Sequence, residues 1–430
     1  MCISSRLPLR ATNLLLASWI VALAVSGCAG STASASGSVS AAPSATATAS
    51  PSAIASASPS LSASPRLNGV FSTIGSMVEN RGGGATATLL ANGRVLVTGG
   101  TGASAAGTKS LSSAEIYDPA TGLWTETGSM LSGHSEHTAT LLKDGRVLIV
   151  GGCDNHTTAE LYDPASGKFS SAAKVAIDDT CESTATLLSD GRVLIVGGYG
   201  PVSVSKLAEL FDPATGKFTK TGSLHTARGN AQAALLPDGR VLVIGGEQAG
   251  GISSEVDLDS SEIYDPATGT FRVAANMETP RTKFSATLLG NGKILVAGGD
   301  NVGGPGDPLD SAELYDPGTG KFNPTGSMTE SRDTNWGNPD TTGLGGMRTS
   351  LLADGKVLLV GGNAEAQGSV VFQPDAEIYD PAIGKFSAVA ATLPDSNNAS
   401  FSNNANAAPS VTLKDGRVLI PGTPSLVYTP

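Results

Sequence analysis

The sequence predicts an all-β protein built from one repeated unit of four short strands. An apolar segment that ends in glycine recurs seven times along the 430-residue chain. The chain also contains 54 glycines and hardly any segment with helical periodicity, which is typical of a β protein rich in turns. Finally, the two ends of the repetitive region look like complementary parts of a single unit.

The repeated segment reads DGRVLIVGG at residues 144–152 and again at 190–198. Looser copies are NGRVLVTGG (92–100), DGRVLVIGG (238–246), NGKILVAGG (291–299), DGKVLLVGG (354–362) and DGRVLIPG (415–422). A phosphate-binding loop is needed once, and its glycines have a fixed spacing before a helix. Neither the spacing nor a helix follows here, so we interpret the glycines as part of the fold.

Each unit contains four predicted strands. The first, as in TATLL, leads through Asp-Gly or Asn-Gly into the second, and this dipeptide predicts a two-residue type I′ hairpin turn. The second strand, RVLIVGG, is almost wholly apolar, as expected of a strand buried on both faces. The third is AELYDP, ended by its proline, and the fourth begins at the aromatic residue of GKF.

The spacing and the aromatic residues resemble the kelch motif. The Gly-Gly pairs begin at 99, 151, 197, 245, 298 and 361, which is 46 to 63 residues apart. Each pair is followed by two aromatic residues with six others between them, namely Tyr117 and Trp124, Tyr162 and Phe169, Phe211 and Phe218, Tyr264 and Phe271, Tyr315 and Phe322, and Tyr379 and Phe386. Only Trp124 is the tryptophan of the family pattern, and Phe211 replaces one tyrosine. The resemblance implies a β-propeller, most similar to the galactose-oxidase-type bacterial kelch proteins.

The chain ends predict how the propeller closes. Residues 69–77, GVFSTIGSM, match the fourth-strand segment GLWTETGSM at 122–130 but have no unit before them. The C-terminal unit, SVTLKDGRVLIPG followed by SLVY, lacks a fourth strand. Six whole blades and one shared blade give seven, and closure removes exposed strand edges.

The N-terminal region has the composition of an export signal and a tether. Arg6 and Arg10 precede an apolar run that is too short to span a bilayer. The residues VSGC that follow resemble a lipoprotein cleavage site, which implies a signal peptide at 1–27 and a lipidated Cys28. Residues 28–66 are rich in Ser, Ala and Pro and predict a disordered linker before the propeller at 67–430. We therefore expect a lipid-anchored, extracytoplasmic protein of the bacterial cell envelope.

The net charge argues about binding partners, and the cysteines argue about a disulfide. The formal charge of −11 argues against nucleic acid. After the signal and the lipid site, Cys153 and Cys181 remain in an oxidising compartment, on the same face and in adjoining blades, and we predict a disulfide. The competing interpretation is a pair of metal-binding thiols beside His156.

Repetition separates structural from functional residues, since a site must break the sevenfold pattern. The repeated Glu115, Glu160, Glu209, Glu262, Glu313 and Glu377 predict a structural role, accepting hydrogen bonds from backbone or from turn Arg and Lys residues. The repeated Tyr and Phe residues are predicted core for the same reason.

Loops between the second and third strands, and between blades, share one face and carry the irregular residues. The longest connection, 328–349, has Trp336 with flanking charges, so we predict a ligand site formed by Trp336, Arg332, Asp333, Arg348, Arg281, Arg228 and Arg81. A weaker candidate is a metal site at His134, His137, His156 and Asp154. The alternatives are a loop that merely covers the channel and ordinary surface histidines.

The predicted function is a monomeric binding module for a cell-surface glycan or protein, without a cofactor. The alternative is a carbohydrate-active enzyme of the galactose-oxidase-like or the sugar mutarotase or epimerase type. Galactose oxidase holds copper with two Tyr and two His, whereas only Tyr199 of the seven tyrosines here lies outside the repeat position. Fold alone does not decide between these functions.

Overall fold

The structure is a computed structural model that describes residues 69–430 apart from 105–106, 155–156, 178–179, 201–202, 250–254, 302–307, 333–346, 367–368, 373–374, 391–392 and 394–408. The predicted signal peptide, Cys28 and the linker up to residue 66 lie outside the described residues. In the part that is described, no helix has the length and apolar character needed to cross a bilayer.

Seven antiparallel sheets of four strands form the blades. Each blade has four strands, counted from the axis outward. The first, innermost strands of the seven blades are β2 (Ala85–Leu89), β8 (Thr138–Leu141), β12 (Thr184–Leu187), β16 (Gln232–Leu235), β22 (Ser285–Leu288), β26 (Arg348–Leu351) and β32 (Val411–Thr412). The second strands are β3 (Val95–Gly99), β9 (Val147–Val150), β13 (Val193–Val196), β17 (Val241–Ile244), β23 (Ile294–Ala297), β27 (Val357–Val360) and β33 (Val418–Ile420). The third strands are β6 (Ala114–Asp118), β10 (Ala159–Asp163), β14 (Ala208–Asp212), β20 (Ser261–Asp265), β24 (Ala312–Asp316), β30 (Ala376–Asp380) and β34 (Ser425–Thr429). The outer strands are β7 (Leu123–Glu126), β11 (Lys168–Ser171), β15 (Lys217–Lys220), β21 (Thr270–Val273), β25 (Lys321–Pro324), β31 (Lys385–Ala388) and β1 (Val70–Ile74).

The ring closes as the sequence predicts. The first strands contact one another in chain order, and β32 of the last blade contacts β2 of the first. The N-terminal strand β1 completes the last blade by pairing antiparallel with β34, with Val70 opposite Thr429 and Ile74 opposite Ser425. The prediction of seven four-stranded blades closed by the two chain ends is confirmed.

The predicted type I′ turn between the first two strands is wrong. In the unit of residues 142–146, the amide of Leu142 donates to the carbonyl of Arg146 (2.8 Å) and that of Gly145 donates to Leu142 (3.0 Å). Only Gly145 has a positive φ, of 89°, so the loop has three residues and ends in one left-handed glycine. Asp144 instead accepts a hydrogen bond from the Arg146 amide (3.0 Å), and this side-chain contact holds the turn.

The core lies between blades. Seven clusters of buried apolar side chains each join two neighbouring blades, and the second strands are buried along their whole length where burial is described. The repeated aromatic pairs pack at about the same distance, as for Tyr162 and Phe169, whose ring centroids lie 4.8 Å apart. The Tyr162 hydroxyl also reaches the Thr127 hydroxyl of the preceding blade (2.9 Å). The predicted structural role of the repeated aromatic residues is therefore confirmed.

Among the described residues, three short hairpins extend the connections between second and third strands, on the face where the Gly-Gly pairs lie. They are β4 (Thr101–Ser104) with β5 (Gly107–Ser110), β18 (Glu247–Ala249) with β19 (Glu255–Asp257), and β28 (Asn363–Ala366) with β29 (Ser369–Phe372). They belong to the first, fourth and sixth blades. We call this side of the disc the Gly-Gly face.

Candidate functional site

Four of the arginines that the sequence assigns to a ligand site are buried structural clamps. Arg281, fully buried, donates to the carbonyl of Gly298 (2.6 Å) and to the carboxylate of Glu313 (3.2 Å). Arg81, Arg228 and Arg332 repeat this arrangement, with Arg to Glu distances of 3.1, 3.2 and 3.0 Å. Each clamp ties the loop before a blade to the end of that blade's second strand.

A ligand-binding role for Arg81, Arg228, Arg281 and Arg332 therefore does not fit the structure. At most 1% of each side chain is exposed, and their Nη donors are committed to carbonyl and carboxylate oxygens. Buried charges need such partners, since leaving one unpaired costs several kcal/mol. The repeated glutamates are structural as predicted, although in four of the six blades their cationic partner is the inter-blade Arg and not a turn residue. Glu313, for example, also accepts the backbone amide of Glu278 (2.9 Å).

In the second and third blades, other contacts take the place of the Arg–Glu clamp. In the second blade, the buried His134 donates from Nδ1 to the carbonyl of Gly151 (2.6 Å) and lies 3.2 Å from Glu160. In the third, Glu209 forms no ion pair among the described residues, and burial raises its pKa. The disulfide between Cys153 and Cys181, with Cα atoms 4.4 Å apart, joins these two blades instead.

The described residues do not assemble the metal site considered at His134, His137, His156 and Asp154. His134 is engaged as described above, and His137 Nε2 lies 3.0 and 2.9 Å from the hydroxyls of Thr86 and Thr98. Asp154 accepts a hydrogen bond from Ser110. His156 lies outside the described residues, and within them no group of three or more His, Cys, Asp or Glu side chains could hold a metal ion. The remaining histidine, His225, contacts Glu262 (2.9 Å).

A cavity of about 290 Å³ opens on the Gly-Gly face, where the first strands of the blades begin around the axis. It is lined by residues from the second to the seventh blades, with Glu136, Glu182, Asn230, Gln232, Lys283 and Arg348 as its charged and amide side chains. We call it the axial pocket. Its size is at the lower end for small-molecule sites.

Four residues of the axial pocket have a left-handed backbone. Glu136, Glu182, Asn230 and Lys283 have φ of 52°, 52°, 49° and 51°, and they occupy the same position in four successive blades, just before the first strand. The first blade has Gly84 there, where a side chain would meet the Glu136 carboxylate at 2.8 Å. For a residue other than glycine this conformation costs about 1–2 kcal/mol, and such strain concentrates at functional sites.

Burial perturbs the ionisation of the pocket residues. Burial and the neighbouring Glu182 raise the pKa of Glu136 from 4.5 to about 8, so its carboxyl is mostly protonated at pH 7. Burial, with His134 and Arg81 adding, lowers the pKa of His137 from 6.5 to about 3. Burial also lowers the pKa of Arg348 to about 10, which leaves it charged at neutral pH.

The two larger shifts affect stability in opposite directions. Glu136 contributes stability that is fully present below pH 4.5 and is lost as the pH rises to about 8. His137 contributes stability that is present above pH 6.5 and is lost as the pH falls towards 3. Between pH 6.5 and 8, only the Glu136 contribution changes.

Side chains from two further elements hold the pocket wall in the fourth blade. The Asn230 amide donates to the buried carboxylate of Glu247 (3.1 Å), which also accepts the hydroxyl hydrogen bond of Tyr199. Tyr199 is the tyrosine outside the repeat position. Its role is thus to position Glu247 and, through it, Asn230.

Of the predicted ligand-binding residues, Arg348 alone lines the axial pocket among those that the structure describes. Trp336 and Asp333 lie outside the described residues. Sequence reasoning missed Glu136, Glu182, Asn230 and Lys283. The signal was present, because one position of the repeat changes from Gly84 to these four residues while the flanking strands stay nearly constant.

The family model described as Kelch motif matches residues 85–131 and 281–329. Among solved structures, one similar chain is described as a "Novel fungal alcohol oxidase with catalytic diversity among the AA5 family, in complex with copper", with a TM-score of 0.62 and 18% identity over 84% of this chain and 76% of that chain. Another is "Structure of YjhT", with a TM-score of 0.48 and 15% identity over 56% of this chain and 83% of that one. A comparison with curated protein sequences gives no match.

The alcohol oxidase has low identity and supports the fold alone. The motif matches and the blade topology agree with each other, since both matched segments start at a first strand or at the clamp before it and extend beyond the outer strand of the same blade. The chain is therefore a seven-bladed β-propeller in which the first and fifth blades match the kelch motif.

Proposed function

We propose that this protein is an exported, lipid-anchored binding module that holds part of a carbohydrate or protein ligand in the axial pocket. The observation that carries the proposal is the ring of left-handed residues, because four successive blades hold a strained polar residue where the first blade has glycine. Their side chains line one concave cavity. Strained residues of this kind are concentrated at binding and catalytic sites.

The chemistry of the lining fits a small, strongly polar ligand or ligand end. Carboxyl, amide, guanidinium and ammonium groups surround a cavity of about 290 Å³. A protein interface of ordinary size buries about 800 Å² per partner, so a protein partner would have to contact much of the face around the pocket and not the pocket alone. We therefore favour a ligand whose terminal unit enters the pocket.

The alternative is a copper enzyme or a sugar-converting enzyme, which the structural similarity to an alcohol oxidase suggests. The described residues do not fit copper, because the repeated tyrosines pack between blades and His134 and His137 are engaged by protein groups. The binding module is the function that the described geometry supports best.

The test uses the purified full-length protein on an array of glycans and peptides. Arg348→Ala should weaken any ligand found by at least about tenfold, or about 1.4 kcal/mol. Arg272→Ala is the matched control, since Arg272 lies exposed on the outer strand β21. Trp336→Ala tests the contribution of the long connection. Equal binding by the wild type and the Arg348 variant would place the ligand elsewhere and contradict the proposal.

The anchor is tested separately by cell fractionation. Cys28→Ala should release the protein from the membrane fraction or leave its signal peptide uncut. A variant that is processed normally and stays in the membrane would contradict the lipid-anchor proposal without affecting the axial pocket.

A further inference from the structure

The charged side chains of the axial pocket are sorted by sign around the ring. Acidic Glu136 and Glu182 come from the second and third blades, whereas basic Lys283 and Arg348 come from the fifth and sixth. The fourth blade, between them, supplies the amide Asn230. Because the first strands follow chain order around a closed ring of seven, the acidic pair faces the basic pair across the axis.

At pH 7 the Glu136 carboxyl is mostly protonated, so the negative charge on the acidic side is that of Glu182 and the positive charges opposite are those of Lys283 and Arg348. A charge in a partly buried pocket is stabilised by an opposite charge or by directed hydrogen bonds, and a neutral ligand provides only the latter. A purely anionic ligand would be attracted to one side and repelled by the other. The electrostatics favour a ligand that has both signs of charge at its two ends.

The acidic side also contains an unsatisfied polar group. His137 lines the pocket and is only 5% exposed, and its Nδ1 has no hydrogen-bond partner among the described residues. Its Nε2 is already used by two threonine hydroxyls. Buried polar atoms usually have a partner, so this nitrogen is a further indication that a polar molecule completes the site.

We propose that the axial pocket binds a small zwitterion, with its ammonium group towards Glu136 and Glu182 and its carboxylate towards Lys283 and Arg348. This inference rests on the proposed function, because it names the class of ligand for the same pocket. Two sources supply this chemistry, namely the free ends of an amino acid or short peptide, and an amino sugar that also carries an acid group. The amides of Asn230 and Gln232 lie where the neutral part of such a ligand would be bound.

The experiment is calorimetric titration of the full-length protein at pH 7. Glycylglycine and muramic acid are the zwitterionic probes. Glycylglycinamide has only the positive end, N-acetylglycylglycine and N-acetylmuramic acid have only the negative end, and glucose is neutral. At least one zwitterion should bind at least about tenfold more tightly than its singly charged analogues. A preference for muramic acid or for glycylglycine identifies the source.

Variants assign the two ends. Glu182→Gln should weaken binding of the zwitterion at least about fivefold and leave binding of the negatively charged analogue unchanged. Lys283→Gln should weaken binding of the zwitterion at least about fivefold and leave binding of the positively charged analogue unchanged. Glu126→Gln and Lys321→Gln are the matched controls, because both side chains are exposed on outer strands. Folding of each variant is checked by its thermal melting curve.

Three results would overturn the inference: glucose binding as tightly as the zwitterions, singly charged analogues binding equally well, or no binding of either zwitterion at about 10 mM, a concentration at which a Kd of about 10 mM or tighter would be detected. The proposed function fails independently, when array ligands bind equally to the wild type and to Arg348→Ala. A neutral array ligand that depends on Arg348 would keep the proposed function and refute the zwitterion.

Discussion

Lys283 offers a direct test of strain in the axial pocket. Its φ of 51° lies in the left-handed region, which costs a residue with a Cβ about 1–2 kcal/mol. Glycine avoids this cost but loses about 0.5–1 kcal/mol more conformational entropy on folding than alanine. Lys283→Gly should therefore be more stable than Lys283→Ala by about 0.5–1 kcal/mol, the reverse of the usual order.

The comparison of two variants at one position removes the side-chain contribution, since both lack the lysine. Urea unfolding followed by tryptophan fluorescence gives the free energy of unfolding of each variant. Lys321, on the exposed outer strand β25, is the control, because its φ is not positive. There the alanine variant should be more stable than the glycine variant by about 0.5–1 kcal/mol.

Two results would contradict strain at position 283: Lys283→Ala as stable as Lys283→Gly, or the same order of stability at position 321 as at position 283. The first result would mean that the surrounding structure accepts the left-handed conformation without strain. The left-handed backbone at position 283 would then no longer indicate a functional role for its side chain, whereas the charge distribution in the pocket would be unaffected.

Three further predictions concern stability. Between pH 6.5 and 8, the free energy of unfolding should fall with rising pH by up to about 1.4 kcal/mol per unit from Glu136, whose pKa is raised to about 8, and Glu136→Gln should flatten this slope in urea titrations at several pH values. Arg281→Ala should lower the free energy of unfolding by about 3–5 kcal/mol, measured by urea unfolding, because Glu313 would stay buried without its cation. Replacing both Cys153 and Cys181 by alanine should cost about 3–4 kcal/mol on the chain-entropy model for their separation of 28 residues, measured by thermal and urea unfolding without reductant.

Each of these has a control. Glu126→Gln, on an exposed outer strand, should keep the wild-type pH slope, and an unchanged slope in Glu136→Gln would contradict the assigned pKa. Arg272→Ala should change stability by less than about 0.5 kcal/mol, so an equally small effect of Arg281→Ala would mean that the clamp does not stabilise the fold. The double cysteine variant is compared with reduced wild type, and a wild type that does not respond to reductant would argue against a stabilising bridge.

Most of the fold could be predicted from the sequence because each strand and aromatic pattern occurs in several copies of the repeat. The apolar second strand, the aromatic pairs and the terminal complementarity of GVFSTIGSM with SLVY each predict a contact that the structure contains. One local detail was wrong. The Asp-Gly dipeptide has only its glycine in the left-handed region, because Asp144 bonds the following backbone amide.

The site depended on tertiary structure. Arg81, Arg228, Arg281 and Arg332 look like exposed loop residues in the sequence, and only the closed blades show that each guanidinium is buried against a glutamate of the repeat. Likewise, Glu136 and Lys283 are 147 residues apart in the chain, and only ring closure brings them to one pocket. Local pairing is encoded within each repeat, whereas the axial pocket is lined by residues from the second to the seventh blades, and its charge pattern exists only once these blades are assembled.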